Sequence, residues 1–210
     1  MCRDVATTIL AQSLGTKYLL DAQALDRIRE VLREGGLIVY PTDTAYGLGA
    51  DPFQPKAVDR LFAAKARPRD QAISMAVAGI PEVFRFGERT PIAQAFSEKN
   101  LPGPYTVVLR ATAEAPRPIL SKEGRIALRV PDHPIPRLLA KTIGPVTATS
   151  ANRHGRPSPT TCDGAREQLG DRVDLYLDAG PTPLGGESTV VDLTESRARI
   201  LRPGTARSGA

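Results

Sequence analysis

Cysteine, histidine and tryptophan are scarce in this sequence, and their scarcity argues against several kinds of site. The 210 residues include two cysteines, Cys2 and Cys162, and two histidines, His133 and His154, but no tryptophan. Two cysteines so far apart form no disulfide framework, and no C-x-x-C pair is present to bind zinc. No motif surrounds Cys162, which favours a residue at a helix start over a catalytic nucleophile.

Long hydrophobic runs are missing too. No apolar stretch approaches the roughly 20 residues that a membrane-spanning helix needs. The first residues, MCRDVATTILAQSLG, lack the basic-then-apolar order of a secretory signal. We therefore expect a cytoplasmic protein with no membrane partner.

The common phosphate-binding motifs are also absent. The sequence has no GxxxxGK[ST] phosphate loop, no GxGxxG fingerprint and no GxSxG nucleophile elbow. The net charge is nevertheless +5, a modest excess that fits anionic ligands such as nucleotides or RNA. If a nucleotide binds, separate basic and hydroxyl side chains must hold its phosphates.

The order of hydrophobic patterns predicts the fold class. Helical periodicity at 20–36 and 55–68 alternates with short apolar strands at 37–40 and 73–77, and further strands cluster in the second half of the chain. This order predicts an α/β fold whose sheet mixes parallel and antiparallel strands.

Three polar segments end these elements abruptly and are the candidate functional regions. They are YPTDTAYGLG at 40–49, KARPRD at 65–70 and TSANRHGRPSPT at 149–160. Each also has an ordinary explanation, namely turn chemistry, a solvated helix terminus and an exposed loop. Because ligands of open α/β sheets bind at strand ends, the three segments could converge on one cleft.

Together these segments resemble one protein family. The stretches GGLIVYPTDTAYGLGAD, KARP, PGPYTVVL, ALRVPDHP, TSAN…GRPSPT, GGESTVVDL and ILRPG occur in this order. Their series resembles the YrdC-like family, the L-threonylcarbamoyladenylate synthases, in its single-domain form. We therefore interpret residues 1–18 as an N-terminal extension, 19–204 as a YrdC-like catalytic domain and 205–210 as a loose C-terminal tail.

The resemblance implies an activity and a set of partners. Members of this family combine L-threonine, bicarbonate and ATP into threonylcarbamoyl-AMP and pyrophosphate, for the threonylcarbamoyladenosine modification of tRNA. It further implies a twisted, open sheet with flanking helices around a basic cavity. The partners it implies are a threonylcarbamoyl transferase that uses the product, tRNA as a candidate partner, and Mg²⁺ accompanying ATP. The sequence shows no carboxylate cluster dedicated to a metal, and Asp43 is only a candidate outer-shell ligand.

By the same resemblance, the site residues fall into two groups. Lys65 and Arg67 would be catalytic, by neutralising charge on the phosphates. The expected ATP-binding residues are Lys65, Arg67, Gln71, Arg125, Ser150, Asn152, Ser158 and Arg202. The expected threonine-binding residues are Thr44, Arg129, Ala148 (through its backbone) and Ser188, with Arg129 holding the carboxylate. Thr42 and Asp43 are expected to hold their loop.

Several positions depart from the family pattern. Many relatives continue the K-x-R motif as R-P-x-D-N-P-L-x-x-H, whereas this sequence reads RPRDQAISMA. Gln71 thus replaces an asparagine, Ala72 a proline and Ala76 a histidine that contacts threonine, while Arg125 stands where some relatives have a threonine. Gln71 keeps hydrogen-bonding capacity and Ala76 does not. The departures therefore bear most on amino-acid recognition.

Other functions stay open on the sequence alone. A paralogue with a different carbamoyl or adenylate substrate would account for Gln71 and Ala76. Hydrogenase-maturation carbamoyltransferases contain related domains, but in much longer chains that bear zinc-binding cysteines. A non-catalytic module that binds double-stranded RNA or tRNA would fit the charge, although few aromatic side chains are present for base stacking. His133 is interpreted as a turn residue, and His154 has no assigned role.

Overall fold

The structure is a computed structural model that describes residues 7–14, 17–69 and 71–206. Cys2 lies outside these residues, as do parts of the predicted N-terminal extension and C-terminal tail. Within the described ranges, no helix is long and apolar enough to cross a membrane.

Six helices form within the described residues, each with a recognisable start. Asp21 caps the first helix by accepting a hydrogen bond from the Ala24 amide at 2.7 Å, and Thr161 caps the last one in the same way. Prolines occupy the first turn of the other four, where a missing amide proton costs nothing. The helices are α1 (Ala22–Arg33), α2 (Pro55–Lys65), α3 (Ile80–Phe86), α4 (Pro91–Asn100), α5 (Pro134–Thr142) and α6 (Cys162–Leu169).

Strands of the described residues form two larger sheets and one hairpin. The strands are β1 (Thr7–Leu10), β2 (Gln12–Leu14), β3 (Lys17–Leu19), β4 (Ile38–Tyr40), β5 (Gly47–Gly49), β6 (Ser74–Ala76), β7 (Tyr105–Arg110), β8 (Arg125–Arg129), β9 (Val146–Thr147), β10 (Thr149–Ser150), β11 (Leu175–Asp178), β12 (Thr189–Asp192) and β13 (Arg199–Arg202). The five-stranded sheet has the order β1-β11-β4-β5-β10, the six-stranded sheet has the order β13-β12-β7-β8-β6-β9, and β2 pairs with β3.

Both larger sheets mix parallel and antiparallel pairs. In the five-stranded sheet β4 is parallel to β11 and antiparallel to β5; in the six-stranded sheet β8 is parallel to β6 and antiparallel to β7. The predicted mixed α/β class is confirmed. The strands are, however, divided between two large sheets, whereas the sequence suggested one.

The two sheets meet at the segment PVTATS. The sequence predicts one strand there, but β9 belongs to the six-stranded sheet and β10 to the five-stranded sheet, with Ala148 between them. Thr147 connects β9 to the five-stranded sheet, because its hydroxyl donates to the Leu48 carbonyl at 2.9 Å and accepts from the Ala50 amide at 2.8 Å. Residues at the crossing are therefore held against both sheets.

Candidate active site

A cavity of about 390 Å³ is bordered by both larger sheets. Its size lies within the range of about 300–1,000 Å³ that is usual for small-molecule sites. Its lining residues come from β6, β7, β8, β12 and β13 of the six-stranded sheet, from β10 of the five-stranded sheet, and from residues 42 and 44–47. The cavity brings together these predicted site residues: Thr44, Arg67, Arg125, Arg129, Ala148, Ser150, Ser188 and Arg202.

Four predicted site residues do not line the cavity directly. Lys65, Asn152 and Ser158 lie behind it and connect to residues that do line it. Gln71 is half-buried and is not among the lining residues.

The opening segment at 40–49 is buried throughout. The Thr42 hydroxyl donates to the Ala45 carbonyl at 2.7 Å and accepts from the Thr44 amide at 3.1 Å. Thr42 therefore holds a tight turn, as expected, and the turn directs the next hydroxyl, that of Thr44, toward the cavity. Turn chemistry and site formation are both served by the same few residues.

A buried arginine links this turn to the six-stranded sheet. Arg129, at the end of β8, donates from Nη1 to Thr44 Oγ1 at 2.7 Å and from Nη2 to Asp43 Oδ1 at 2.6 Å. Its side chain is only 6% exposed and that of Asp43 only 5%. Among the described residues, nothing accepts a hydrogen bond from Arg129 Nε. Asp43 therefore fixes a guanidinium group at the cavity surface.

Ser188 also belongs to the cavity lining. Its hydroxyl shares a hydrogen bond of 2.8 Å with the hydroxyl of Thr106 from β7. The backbone of Ala148, which also lines the cavity, already pairs with Ser74: its amide donates to the Ser74 carbonyl at 2.7 Å and its carbonyl accepts from the Ser74 hydroxyl at 2.8 Å. A ligand would have to share the second lone pair of that carbonyl.

An unusual helix end separates the lysine of the K-x-R motif from its arginine. Ala66, the C-cap of α2, adopts a left-handed conformation with φ of 50°, which few residues other than glycine adopt. Lys65 before it is buried and Arg67 after it lines the cavity. A solvated helix terminus, the ordinary explanation of the motif, is therefore wrong for Lys65.

The ammonium group of Lys65 binds the S-x-N loop. It donates to the carbonyls of Ser150 and Asn152, the latter at 2.8 Å, and to Asn152 Oδ1 at 3.1 Å. Burial and the positive charge of Arg67 lower the pKa of Lys65 to about 7, whereas Glu187 acts to raise it. Three protein acceptors occupy the three donors of the ammonium group.

Arg67 faces the cavity with its own set of contacts. It donates to the Ala72 carbonyl at 3.0 Å and to Thr149 Oγ1 at 3.3 Å. Burial and the nearby charge of Arg202 lower the pKa of Arg67. Among the described residues, its Nε has no hydrogen-bond partner. Two guanidinium groups thus share one side of the cavity, where an anion would be attracted.

Glu187 is a site residue that the sequence reasoning missed. It lines the cavity, pairs with Arg202 at 2.7 Å and accepts a hydrogen bond from Ser158. The signal was present, because the carboxylate directly precedes Ser188 in GGESTVVDL. It was not used because paired glycines and a single acid match no recognised phosphate cradle.

The remaining predicted residues have structural surroundings. Arg125 lines the cavity and also pairs with Asp192 at 3.0 Å. Ala76 is buried in β6, next to Arg129 in the strand register. Cys162 is the buried first residue of α6, as expected, and burial raises its pKa to about 11, which argues against a thiolate nucleophile.

His133 is the N-cap of α5. Its Nδ1 accepts a hydrogen bond from the Ile135 amide at 3.2 Å, so the interpretation as a turn residue is confirmed. Burial lowers its pKa to about 4, although the negative charge of Asp43 acts to raise it. The imidazole is therefore neutral at pH 7.

The described residues do not form a dedicated metal centre. They contain no group of three or more histidine, cysteine, aspartate or glutamate side chains that could hold a metal ion. Asp43, the candidate outer-shell ligand, instead pairs with Arg129. A divalent cation at this cavity would depend on ligand oxygens for most of its coordination.

Comparisons with known proteins find relatives that match most of this chain. The family model Sua5_yciO_yrdC, described as "Telomere recombination", matches residues 30–204. The chain is 38% identical over 175 residues to a threonylcarbamoyl-AMP synthase of Pyrococcus abyssi, which covers 82% of this chain and 52% of that protein. It is 38% identical over 174 residues to a putative threonylcarbamoyl-AMP synthase of Mycobacterium tuberculosis, covering 82% and 80% of the two chains.

Solved structures of related proteins have the same fold over most of this chain. P. abyssi Sua5 complexed with L-threonine matches with a TM-score of 0.87 and 33% identity, covering 95% of this chain and 58% of that one. Escherichia coli YciO matches with a TM-score of 0.81 and 28% identity, covering 94% of both chains. The present chain thus spans little more than half the length of the P. abyssi protein.

Proposed function

Because the chain belongs to the Sua5/YciO/YrdC family, we propose that it is an L-threonylcarbamoyladenylate synthase. It would make threonylcarbamoyl-AMP and pyrophosphate from L-threonine, bicarbonate and ATP, for the modification of tRNA. The observation that carries the proposal is one cavity lined by two sets of cationic groups: Arg67 with Arg202, and Arg129 with Thr44. We take the first set as the phosphate-binding end of the cavity and the second as the threonine-binding end.

The Arg67 end would bind the ATP phosphates. Guanidinium groups suit phosphate because their planar donors match its oxygens. The Ser150 hydroxyl lies in the same lining, and Lys65 holds its loop in place from behind. Lys65 would therefore act mainly by positioning the S-x-N loop, and Arg67 by direct charge neutralisation.

The Arg129 end would bind threonine. A carboxylate could accept hydrogen bonds from Arg129, whose orientation Asp43 fixes, while the hydroxyls of Thr44 and Ser188 bind the amino acid's other polar groups. The P. abyssi relative was solved with L-threonine bound, which supports this choice of substrate.

The chemistry needs orientation more than a protein nucleophile. The threonine amine combines with bicarbonate to give a carbamate and water, and a carbamate oxygen then attacks the α-phosphorus of ATP as pyrophosphate leaves. Fixed cations stabilise the charge that develops on the leaving group. A cavity that holds both substrates end to end would bring the carbamate oxygen and the α-phosphorus together.

Magnesium would enter this scheme as the counterion of ATP. The carboxylates that line the cavity are Glu123 and Glu187. Mg²⁺ commonly binds through one or two carboxylates together with substrate phosphates and water. A single glutamate beside the phosphates would therefore be sufficient to complete the Mg²⁺ site.

The product would then leave the cavity. The threonylcarbamoyl transferase and tRNA would act on the released threonylcarbamoyl-AMP.

The direct test is to incubate the protein with ATP, bicarbonate and each amino acid in turn, and to detect the adenylate by mass spectrometry and pyrophosphate by a coupled assay. We expect the product with threonine, and none without bicarbonate. Turnover with a different amino acid but not with threonine would instead indicate a paralogue of different specificity. RNA binding that falls steeply with salt, without ATP turnover, would indicate an RNA-binding module.

A further inference from the structure

Glu187 places a negative charge among the groups assigned to the nucleotide phosphates. Its two carboxylate oxygens contact Ser158 and Arg202, the latter at 2.7 Å. The same charge acts to raise the pKa of Lys65 and of Arg67, so it lies near both. A carboxylate therefore already neutralises the side of the cavity where a phosphate would be expected to bind.

The backbone around Glu187 is fixed by hydrogen bonds, whereas its side chain is partly exposed. The Gly186 amide donates to the Thr44 carbonyl at 3.0 Å, and the Glu187 carbonyl accepts from the Thr205 amide at 2.8 Å. The Glu187 side chain is 37% exposed and its partner Arg202 is 49% exposed. Rotamer changes of such side chains take picoseconds to nanoseconds, so displacement requires no rearrangement of the fold.

We propose that the Glu187 carboxylate is bound to Arg202 and Ser158 until the phosphates of a nucleotide displace it. We call this the placeholder role of Glu187. This inference rests on the proposed function, since it takes the Arg67 and Arg202 side of the cavity as the phosphate site. A carboxylate and a phosphate compete for the same donors and repel each other. Displacement of Glu187 would free the Arg202 guanidinium and the Ser158 hydroxyl for phosphate oxygens.

The matched variants are Glu187→Gln and Glu114→Gln. Glutamine keeps the shape of the Glu187 side chain and removes its charge. Glu114 also pairs with an arginine, Arg85, at 2.6 Å, but it does not belong to the cavity lining. Loss of the Glu187 pair and of the repulsion predicts ATP binding about three- to tenfold tighter for Glu187→Gln, and a change within about twofold for Glu114→Gln.

Calorimetric titrations of wild type and both variants with ATP, with ATP and Mg²⁺, and with inorganic pyrophosphate test the proposal. Tighter binding of ATP and pyrophosphate to Glu187→Gln alone supports it, and a merely structural role cannot produce such a gain. Unchanged or weaker binding overturns it, including a loss confined to the Mg²⁺ titration, which would assign Glu187 to the metal.

The two proposals fail in different ways. If wild type binds pyrophosphate but not ATP, and Glu187→Gln binds pyrophosphate more tightly, the placeholder role stands and the synthase assignment fails. If wild type binds and turns over ATP while Glu187→Gln gains no affinity, the synthase assignment stands and the placeholder role fails. Failure of wild type to bind either anion removes both.

Discussion

The lysine and the arginine of the K-x-R motif make different contacts, although they lie only two residues apart in the sequence. Lys65 is 2% exposed and holds three acceptors of the S-x-N loop, while Arg67 lines the cavity. The resemblance predicts a role in the site for both residues because the motif contains them. It could not separate them, because the left-handed Ala66 that sends them in different directions is not visible in the residue pattern.

This difference predicts distinct effects for two substitutions. Lys65→Met leaves buried carbonyl acceptors without a donor and is expected to lower the free energy of unfolding by about 2 kcal/mol or more. Arg67→Met is expected to change stability by less than about 1 kcal/mol but to weaken ATP binding about tenfold, as for a lost charge-assisted hydrogen bond. Urea unfolding and calorimetry measure the two effects. Equal losses of stability would contradict the separation of roles.

Arg129 allows a sharper test of the threonine end. Arg129→Ala would leave Asp43 charged and buried, at a cost of about 3–5 kcal/mol, so loss of activity could simply reflect unfolding. Arg129→Lys keeps the charge but loses the planar fork of donors. It is expected to raise the KM for threonine about tenfold or more, with a change in the KM for ATP of less than about threefold.

Steady-state pyrophosphate release at varied threonine and varied ATP separates these two constants. Arg67→Met serves as the reciprocal control, since it should act mainly on ATP. Similar increases in both KM values for Arg129→Lys would argue against a carboxylate site at Arg129.

At the scale of single elements, strong periodicity was a reliable guide and glycine-rich segments were not. The helix predicted at 20–36 is α1, and the one at 55–68 is α2. Strand β5 was missed, since its sequence is GLG and glycine is uncommon in strands. The structure supplies the reason: a Cβ at Gly47 would lie 2.9 Å from the ring of Tyr40, so the packing of this buried ring against β5 requires glycine.

The N-cap of α5 predicts a pH dependence of stability. The pKa of His133 is about 4 in the folded protein and about 6.5 when unfolded. Between these values the unfolded state binds the extra proton, so stability is fully present above pH 6.5 and is lost as the pH falls toward 4. At pH 5 the loss amounts to about 2 kcal/mol relative to pH 7.

His133→Asn removes this titration and keeps an acceptor for the Ile135 amide, because asparagine is a good N-cap. Urea unfolding at pH 7 and pH 5 should show a loss of stability about 2 kcal/mol smaller in this variant than in wild type. His154→Asn, at an exposed position, should behave as wild type. Parallel losses in all three proteins would show that His133 does not govern the acid sensitivity.

At the scale of the whole molecule, the cavity exists because two sheets meet. Strand β11 pairs with β1 and β4, from the other end of the chain, and β12 pairs with β7. Hydrophobic patterns predict strands but not such distant partners, which is why the sequence suggested one sheet. The rule that ligands bind at strand ends predicted that the three polar segments converge on one cleft, and residues of all three line the cavity. Only the strand pairing explains how Ala148 and Arg129 come to line it together.

Ligand binding should therefore stabilise the entire fold, because residues of both sheets would hold each ligand. A ligand at a hundredfold excess over its Kd adds about 2.7 kcal/mol of stability, and in a chain of this size each kcal/mol shifts Tm by about 2–4 °C. ATP and threonine, each at such an excess, are expected to raise the Tm by about 5–10 °C. Arg67→Met should lose most of the ATP shift and keep that of threonine, and Arg129→Lys should do the reverse. Thermal unfolding with each ligand measures the shifts, and a variant that loses both together would show that the two ends of the cavity are not separate sites.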